Sequence, residues 1–316
     1  MSKPKRILIT GAGGFLGRPL LKALVDDGQW EIHASSRDCN RYVAEMGTTW
    51  HSVNLLKPRE IDRVFDLVRP TYFVQLAWCA EHGTYWRDIK NLDWVAANLR
   101  MARAFVQNGG ERCLFAGTSA EYDWSGSDPF NETKTALSPR MLYGACKLAS
   151  YHALSAFFEQ EKISWTWARF FCPFGPYEDR RRLIPKTCLR LLAGEDLQLD
   201  SATSLRDFLH VDDIASALYA TLTSSVQGPV NIASGEALQV RDLVTQIALN
   251  LGRISKVHFA DAVPVDHLST DAITADVIRL RNFVGWSTSV PFETRLRQNC
   301  EWWINYQNGR PQTNII

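Results

Sequence analysis

Strand, glycine turn and helix run into one another at Ile7-Leu8-Ile9-Thr10-Gly11-Ala12-Gly13-Gly14-Phe15-Leu16-Gly17. Ile7 to Thr10 are apolar or β-branched, the composition of a strand buried on both faces. Behind the turn, Leu20, Leu21 and Leu24 recur on one side of a helix that starts at Arg18. Between such a strand and such a helix the glycines acquire a purpose. Gly11 can take the positive φ of a tight turn, Gly14 lets a pyrophosphate approach the backbone, and Gly17 lets the helix pack closely on the strand. The helix N-terminus adds N–H groups and a positive dipole end to hold an anion. Such a segment predicts a βαβ unit that cradles a dinucleotide, the plainer alternative being an ordinary βα turn that happens to be rich in glycine.

The second strand of that unit, 30–37, ends in Ser36 and Arg37. An acidic residue about 20 positions past the glycines would hold an adenosine ribose 2′-hydroxyl. Here a hydroxyl and a guanidinium stand in that place, with Asp38 one step late. That pair suits a 2′-phosphate, so NADP(H) is favoured over NAD(H); Arg37 stacking on adenine or facing solvent is the plainer alternative. Strands follow at 48–53, 72–77, 112–117 and 164–170, with helices at 58–68 and 94–106 and a helix after Pro139. Residues 78–93 are rich in Trp, Tyr and His without a period, and follow the carboxyl end of a strand, where a ligand pocket lies in such folds. The alternation predicts an α/β fold, a doubly wound parallel sheet, over residues 1–170. Beyond it the pattern loosens into a smaller α/β lobe over 171–316, with 206–232 expected to return to the sheet.

Composition narrows the function. Net charge is +1 over 316 residues, which supplies no field to recruit nucleic acid or a membrane surface. No run approaches the ~18 apolar residues of a membrane span, and the apolar run behind the basic N-terminus breaks at Gly11. The seven cysteines are odd in number and scattered, which fits free thiols in a reducing, cytoplasmic compartment better than a disulfide framework. Cys79 and His82 have no matching second pair, so no metal site is expected.

Tyr143 and Lys147 stand four apart on a helix and share a face. A tyrosine with a pKa of about 10 is a poor acid/base at neutral pH. A neighbouring ammonium, and a positively charged nicotinamide, would favour its phenolate. A shift of ~2–3 units corresponds to roughly 3–4 kcal/mol. The phenol can then exchange a proton with a sugar or alcohol oxygen while hydride moves at the same carbon. Thr118 or Ser119, at the end of the fifth strand, is placed to hydrogen-bond that oxygen.

With these residues in view, the sequence resembles the extended short-chain dehydrogenase/reductases, the family of nucleotide-sugar epimerases, dehydratases and 4-keto reductases with a Rossmann sheet. Thr10 to Gly17 matches the family's Gly-x-x-Gly-x-x-Gly turn, and Tyr143-Gly144-Ala145-Cys146-Lys147 its Tyr-x-x-x-Lys. Arg206-Asp207-Phe208-Leu209-His210-Val211-Asp212-Asp213 matches its Arg-Asp-Phe-x-x-Val-x-Asp segment. Asn231 to Glu236 and Gly285-Trp286 match later landmarks. The resemblance implies Tyr143 as general acid/base, Lys147 as the group that lowers its pKa and holds the nicotinamide ribose, and Thr118 as the substrate-oxygen partner, with Ser119 the fallback. It implies a cofactor site at Gly11, Gly13, Gly14, Phe15, Leu16, Gly17, Ser36, Arg37, Leu76 and Ala77, and a nucleotide-sugar site that includes Ser119, Glu121, Cys172, Arg182 and Arg206. Helices 94–106 and 143–158 would pair two copies as a homodimer.

Three departures from the family pattern shape the expected reaction. Cys172 stands where Arg-x-x-Asn-x-x-Gly-Pro has asparagine after Arg169. The position two past Thr118, a carboxylate in dehydratases, is Ala120, with Glu121 one further on; were Ser119 the catalytic hydroxyl, Glu121 would fall in register, so this departure weakens dehydration without excluding it. Ser36 replaces the acid expected for retained NAD. Together they point to an NADPH-dependent reductase of a 4-keto nucleotide sugar. The alternative is an epimerase or dehydratase with tightly bound NAD(P).

Overall fold

The computed structural model describes residues 5–39, 47–79, 81–126, 129–199, 202–260 and 272–309. Seven parallel strands form the main sheet: β1 (Lys5–Thr10), β2 (Trp30–Ser36), β3 (Thr48–Ser52), β4 (Tyr72–Gln75), β5 (Arg112–Thr118), β6 (Ser164–Phe170) and, after four short strands of the lobe, β11 (Gly228–Ile232). Their order is β11-β6-β5-β4-β1-β2-β3. The chain runs outward from β1 to β3, then crosses back to β4 and proceeds the other way. The crevice between β1 and β4 is therefore the topological switch point, where open α/β sheets bind ligands at the carboxyl ends of the strands.

Alternation along β1 explains why both faces are covered. Ile7 and Ile9 point to one side, with Leu20, Leu21 and Leu24 of α1 (Gly17–Asp27) and Ile214, Leu218 and Leu222 of α6 (Val211–Thr223). Leu8 points to the other side, against α2 (Pro58–Val68), α3 (Lys90–Gln107) and α4 (Leu142–Glu161). Each face buries its apolar stripe, so the sheet is sandwiched between two helical layers.

The remaining elements form the lobe. These are β7 (Cys172–Phe174), α5 (Leu183–Leu192), β8 (Leu197–Leu199), β9 (Leu205–Arg206), β10 (Phe208–His210), β12 (Leu238–Gln239), α7 (Val240–Asn250), β13 (Val257–Phe259), β14 (Ala272–Ile273) and α8 (Phe292–Gln307). Phe174, Cys188, Leu243, Ile247, Leu296 and Trp303 centre their core. The segment 206–232 corrects the sequence expectation at its start. β9 pairs with β12 and β14, and β10 with β7, inside the lobe. Only α6 and β11 rejoin the sheet. Arg112, at the start of β5 and 7% exposed, anchors them by donating to the carbonyls of Thr221 (2.7 Å), Leu222 (2.7 Å) and Val226 (2.9 Å). A guanidinium at the α6 C-terminus satisfies carbonyls that the helix leaves open. The other difference is at α3, which starts at Lys90 because the Asp88 carboxylate accepts the Lys90 N–H at 2.9 Å. Among the described residues no helix is long and apolar enough to cross a membrane.

Gly11 has a φ of +74°, and Gly17 opens α1 directly against it. A Cβ at Gly17 would overlap the Gly11 carbonyl oxygen and the Ala12 backbone. Gly17→Ala is expected to push α1 away from the β1 turn and cost about 1–3 kcal/mol. Chemical denaturation should show the loss, with dinucleotide affinity falling in parallel; wild-type stability would contradict this packing.

Candidate active site

The turn after β1, the ends of β4 and β5, the start of α4 and the lobe enclose a cleft of about 730 Å³. Gly11, Gly14, Phe15, Leu16 and Gly17 line it on one side, with Leu76 and Ala77 beyond the end of β4. The fit is close: a Cβ on Gly11 would stand 2.8 Å from the Ala77 amide nitrogen. Backbone therefore faces backbone across the switch point, leaving the room a dinucleotide pyrophosphate needs. Gly13 is not on the wall; its carbonyl accepts the Arg18 Nε at 2.9 Å. Ser36 and Arg37 also lie off the wall, at the tip of β2. The Ser36 hydroxyl bridges to the Asp38 main chain at 3.3 Å, and Arg37 is exposed.

At the centre of the cleft, Thr118 ends β5 and Tyr143 and Lys147 sit on the first turns of α4. Gly144 makes this approach possible, because a Cβ there would overlap the Ala120 carbonyl oxygen. The Thr118 hydroxyl accepts the Ala120 N–H at 3.2 Å and lines the cleft next to the Tyr143 phenol. Ser119 lines the cleft beside it, with its carbonyl taken by the Trp124 indole at 2.8 Å.

Lys147 departs from the sequence expectation in its partner. Its Nζ donates to the Ala116 carbonyl at 2.8 Å and stands 3.9 Å from the centre of the Trp78 ring. Burial pulls this ammonium down to about 7. Tyr143 is shifted the other way: burial raises its pKa, aided by Tyr85, and the nearby Thr118 hydroxyl opposes this without reversing it. Burial thus favours the neutral phenol over the phenolate at this position.

The aromatic segment after β4 folds over this pair. Tyr143 receives the edges of Tyr85 at 4.9 Å, Trp86 at 5.7 Å and Trp78 at 6.3 Å, all close to perpendicular. The Trp86 carbonyl accepts the Tyr143 backbone N–H at 3.1 Å, so the segment is pinned to the start of α4. Trp78, His82, Tyr85, Trp86 and Trp124 all line the cleft. The aromatic bias of 78–93 marked the segment as a whole; nothing in it singled out Trp86 or the more distant Trp124.

Glu121 corrects a sequence assignment. It is 0% exposed and does not face the cleft. Its carboxylate accepts the Thr118 N–H (2.8 Å), the Trp167 Nε1–H (2.9 Å) and the Arg169 Nε–H (2.7 Å). An oxygen so fully engaged cannot contact substrate or take a proton from it. Cys172, Arg182 and Arg206, by contrast, are on the lobe wall of the cleft. Burial pushes the Cys172 thiol up to about 12, so it is an uncharged neighbour where the family pattern has an amide. Between them stands Glu178, which sequence reading passed over; its position after a Gly-Pro turn was the only signal. It is 6% exposed, and its Oε2 has no hydrogen-bond partner among the described residues.

Among the described residues no group of three His, Cys, Asp or Glu is placed to hold a metal ion. A larger hollow of about 950 Å³ lies behind α1, lined by Lys22, Tyr177 and Trp302 among others, and the Thr118, Tyr143 and Lys147 side chains do not reach it.

Burial raises the Glu178 carboxyl from 4.5 to about 8, against the opposing pull of Arg182. The folded state therefore holds this proton more tightly than the unfolded chain. The resulting stability is complete below about pH 4.5 and lost as pH rises through about 8. Glu178→Gln cannot ionise, so its stability advantage over wild type should grow from about pH 5 and level off above about pH 8, reaching roughly 3–5 kcal/mol at most. Denaturant unfolding across this range checks it; parallel pH profiles would contradict the shift.

With this geometry in place, comparison with known proteins shows what the chain is similar to. A family model described as the NAD dependent epimerase/dehydratase family matches residues 7–233. dTDP-glucose 4,6-dehydratase of Neisseria gonorrhoeae is 26% identical over 344 residues, covering 97% of this chain and 97% of the relative. dTDP-4-dehydro-6-deoxyglucose reductase of Escherichia coli is 23% identical over 299 residues, covering 90% and 93%. Among solved structures, UDP-N-acetylglucosamine 4-epimerase from Methanobrevibacter ruminantium M1, in complex with UDP-N-acetylmuramic acid, has a TM-score of 0.85 at 24% identity and covers 96% of this chain and 99% of its own. The chain belongs to the NAD dependent epimerase/dehydratase family, and is an NAD(P)-dependent oxidoreductase of the extended short-chain dehydrogenase/reductase type.

Proposed function

We propose that this enzyme reduces the carbonyl of a 4-keto nucleotide sugar with NADPH. The observation that carries the reading is the pairing of a neutral Tyr143 phenol with the Thr118 hydroxyl in a cleft from which Glu121 has been withdrawn. A dehydratase needs a base beside the reacting carbon, and the carboxylate nearest to Thr118 in sequence is spent on Arg169, Trp167 and the Thr118 amide.

Gly11 to Gly17, with Leu76 and Ala77, would hold the dinucleotide, and Lys147 would hold the ribose next to the nicotinamide. Bound there, the reduced nicotinamide would supply hydride to the carbonyl carbon. Tyr143 gives its proton to the carbonyl oxygen as negative charge develops on it. Thr118 steadies the same oxygen through its hydroxyl. Arg182 and Arg206, on the lobe wall, suit a nucleoside diphosphate. Ser36 and Arg37, with no carboxylate at position 36, support the 2′-phosphate of NADPH.

The second reading is a nucleotide-sugar epimerase with retained NAD. It is favoured by the family description and by the epimerase fold at a TM-score of 0.85. An epimerase uses the same Tyr143 and Thr118, and differs in returning the hydride to the substrate.

A panel of nucleotide-linked 4-keto hexoses, assayed for NADPH and NADH oxidation in parallel, separates the two. One member should oxidise NADPH faster than NADH, and Tyr143→Phe should lower that kcat by about 10²–10⁴-fold. Interconversion of ordinary nucleotide sugars without added reductant would establish the epimerase instead.

A further inference from the structure

The cleft wall beside the reacting groups is made of two indoles that the reaction itself does not use. Trp86 and Trp124 come from separate segments, meet edge to face at 6.2 Å and 83°, and both line the cleft. Each is tied to a reacting element. Trp86 holds the Tyr143 backbone through its carbonyl, and Trp124 holds the Ser119 carbonyl through its Nε1. Trp86 is further backed by Tyr85, stacked on it at 4.7 Å. Their side chains remain half-buried, with apolar surface open to the cleft. Two large aromatic rings left partly uncovered inside a concave site are more simply explained by a ligand that covers them than by packing alone.

Geometry fixes which part of a ligand that is. The carbon undergoing reduction must sit within reach of both the Tyr143 phenol and the Thr118 hydroxyl. Ring atoms next to that carbon then lie against the wall that begins at Tyr143 and Ser119. A pyranose has an apolar face made of its axial C–H bonds, and such a face packs on an indole. A hydroxyl driven against the same surface loses its water without gaining a partner.

We propose that Trp86 and Trp124 are the platform for the sugar ring and determine which hexoses are accepted, favouring rings that turn a C–H or methyl face to them. The proposal rests on the nucleotide-sugar reading above. The platform supplies the increment of affinity that the sugar adds to the nucleotide, while the arginines of the lobe wall supply the rest.

The test is calorimetric binding to the NADPH-loaded enzyme. UDP-, dTDP-, CDP- and GDP-hexoses are each compared with the matching nucleoside diphosphate. For the nucleotide that binds, wild type should hold the sugar form more tightly. Trp86→Ala and Trp124→Ala should each reduce that increment about tenfold and leave the nucleoside diphosphate affinity unchanged, while Trp86→Phe and Trp124→Phe keep most of it. NADPH binding reports folding; if an alanine variant fails to bind NADPH, Trp86→Leu and Trp124→Leu, apolar but without a ring face, replace it. A sugar increment unchanged by the alanine or leucine variants overturns the platform and leaves the nucleotide-sugar reading standing. No binding of any nucleotide or nucleotide sugar by wild type overturns that reading, and the platform with it.

Discussion

The catalytic edge of this protein depends on a carboxylate that never touches substrate. Glu121 lies behind the end of β5, fully buried, and bonds at once to the Arg169 guanidinium on β6, the Trp167 indole and the Thr118 amide. Arg169 in turn reaches the Tyr122 hydroxyl, and Tyr122 donates to the Asn231 side chain on β11. One chain of hydrogen bonds therefore joins three strands beneath the reacting groups. Removing one partner from a buried pair of this kind costs roughly 3–5 kcal/mol, because the other charge is left uncompensated. What the pair contributes here is the position of Thr118. The turn that follows it is capped on both sides, by the Thr118 hydroxyl accepting the Ala120 N–H and by Glu121 returning to the Thr118 N–H.

The same arrangement bears on the chemistry. A carboxylate that is fixed behind the strand cannot act as a base in front of it. Beside Thr118 the cleft holds a phenol whose pKa burial raises, a lysine turned towards the Ala116 carbonyl and the Trp78 ring, and, on the lobe wall, the Glu178 carboxyl, which burial also raises. Each of these suits delivery of a proton to an oxygen. Desolvation, which raises the phenol and lowers the lysine, is supplied by the aromatic segment after β4 and by the lobe. Packing and acid–base behaviour therefore have a common source.

How much of this was legible in the sequence follows from how local each signal is. The glycine turn, the strands up to β6 and the four-residue spacing of Tyr143 and Lys147 are short-range patterns, and the structure brings them to the switch point. The fate of Glu121 is not short-range. Its partner Arg169 lies 48 residues away, so spacing from Thr118 alone left its carboxylate on the substrate side. Lys147 was read as a partner of Tyr143 from helix geometry. The residues that redirect it, Ala116 and Trp78, come from two other strand ends. Pairing of β9 and β10 within the lobe depends on contacts with β12, β14 and β7, which no periodicity announces. Trp86, Trp124 and Glu178 escaped for the same reason, since a cleft wall assembled from several loops has no sequence period.

A reductase and an epimerase or dehydratase differ in the source of the hydrogens on the former carbonyl carbon and its neighbour. Turnover of a 4-keto nucleotide sugar with NADPH deuterated at the transferring position, and separately in deuterated water, measures this directly by mass spectrometry and proton resonance. A reductase should place one cofactor-derived deuterium on the former carbonyl carbon, with no solvent-derived deuterium on the carbon beside it. Solvent deuterium at that neighbouring carbon, or turnover without consumption of NADPH, would contradict the reductase reading.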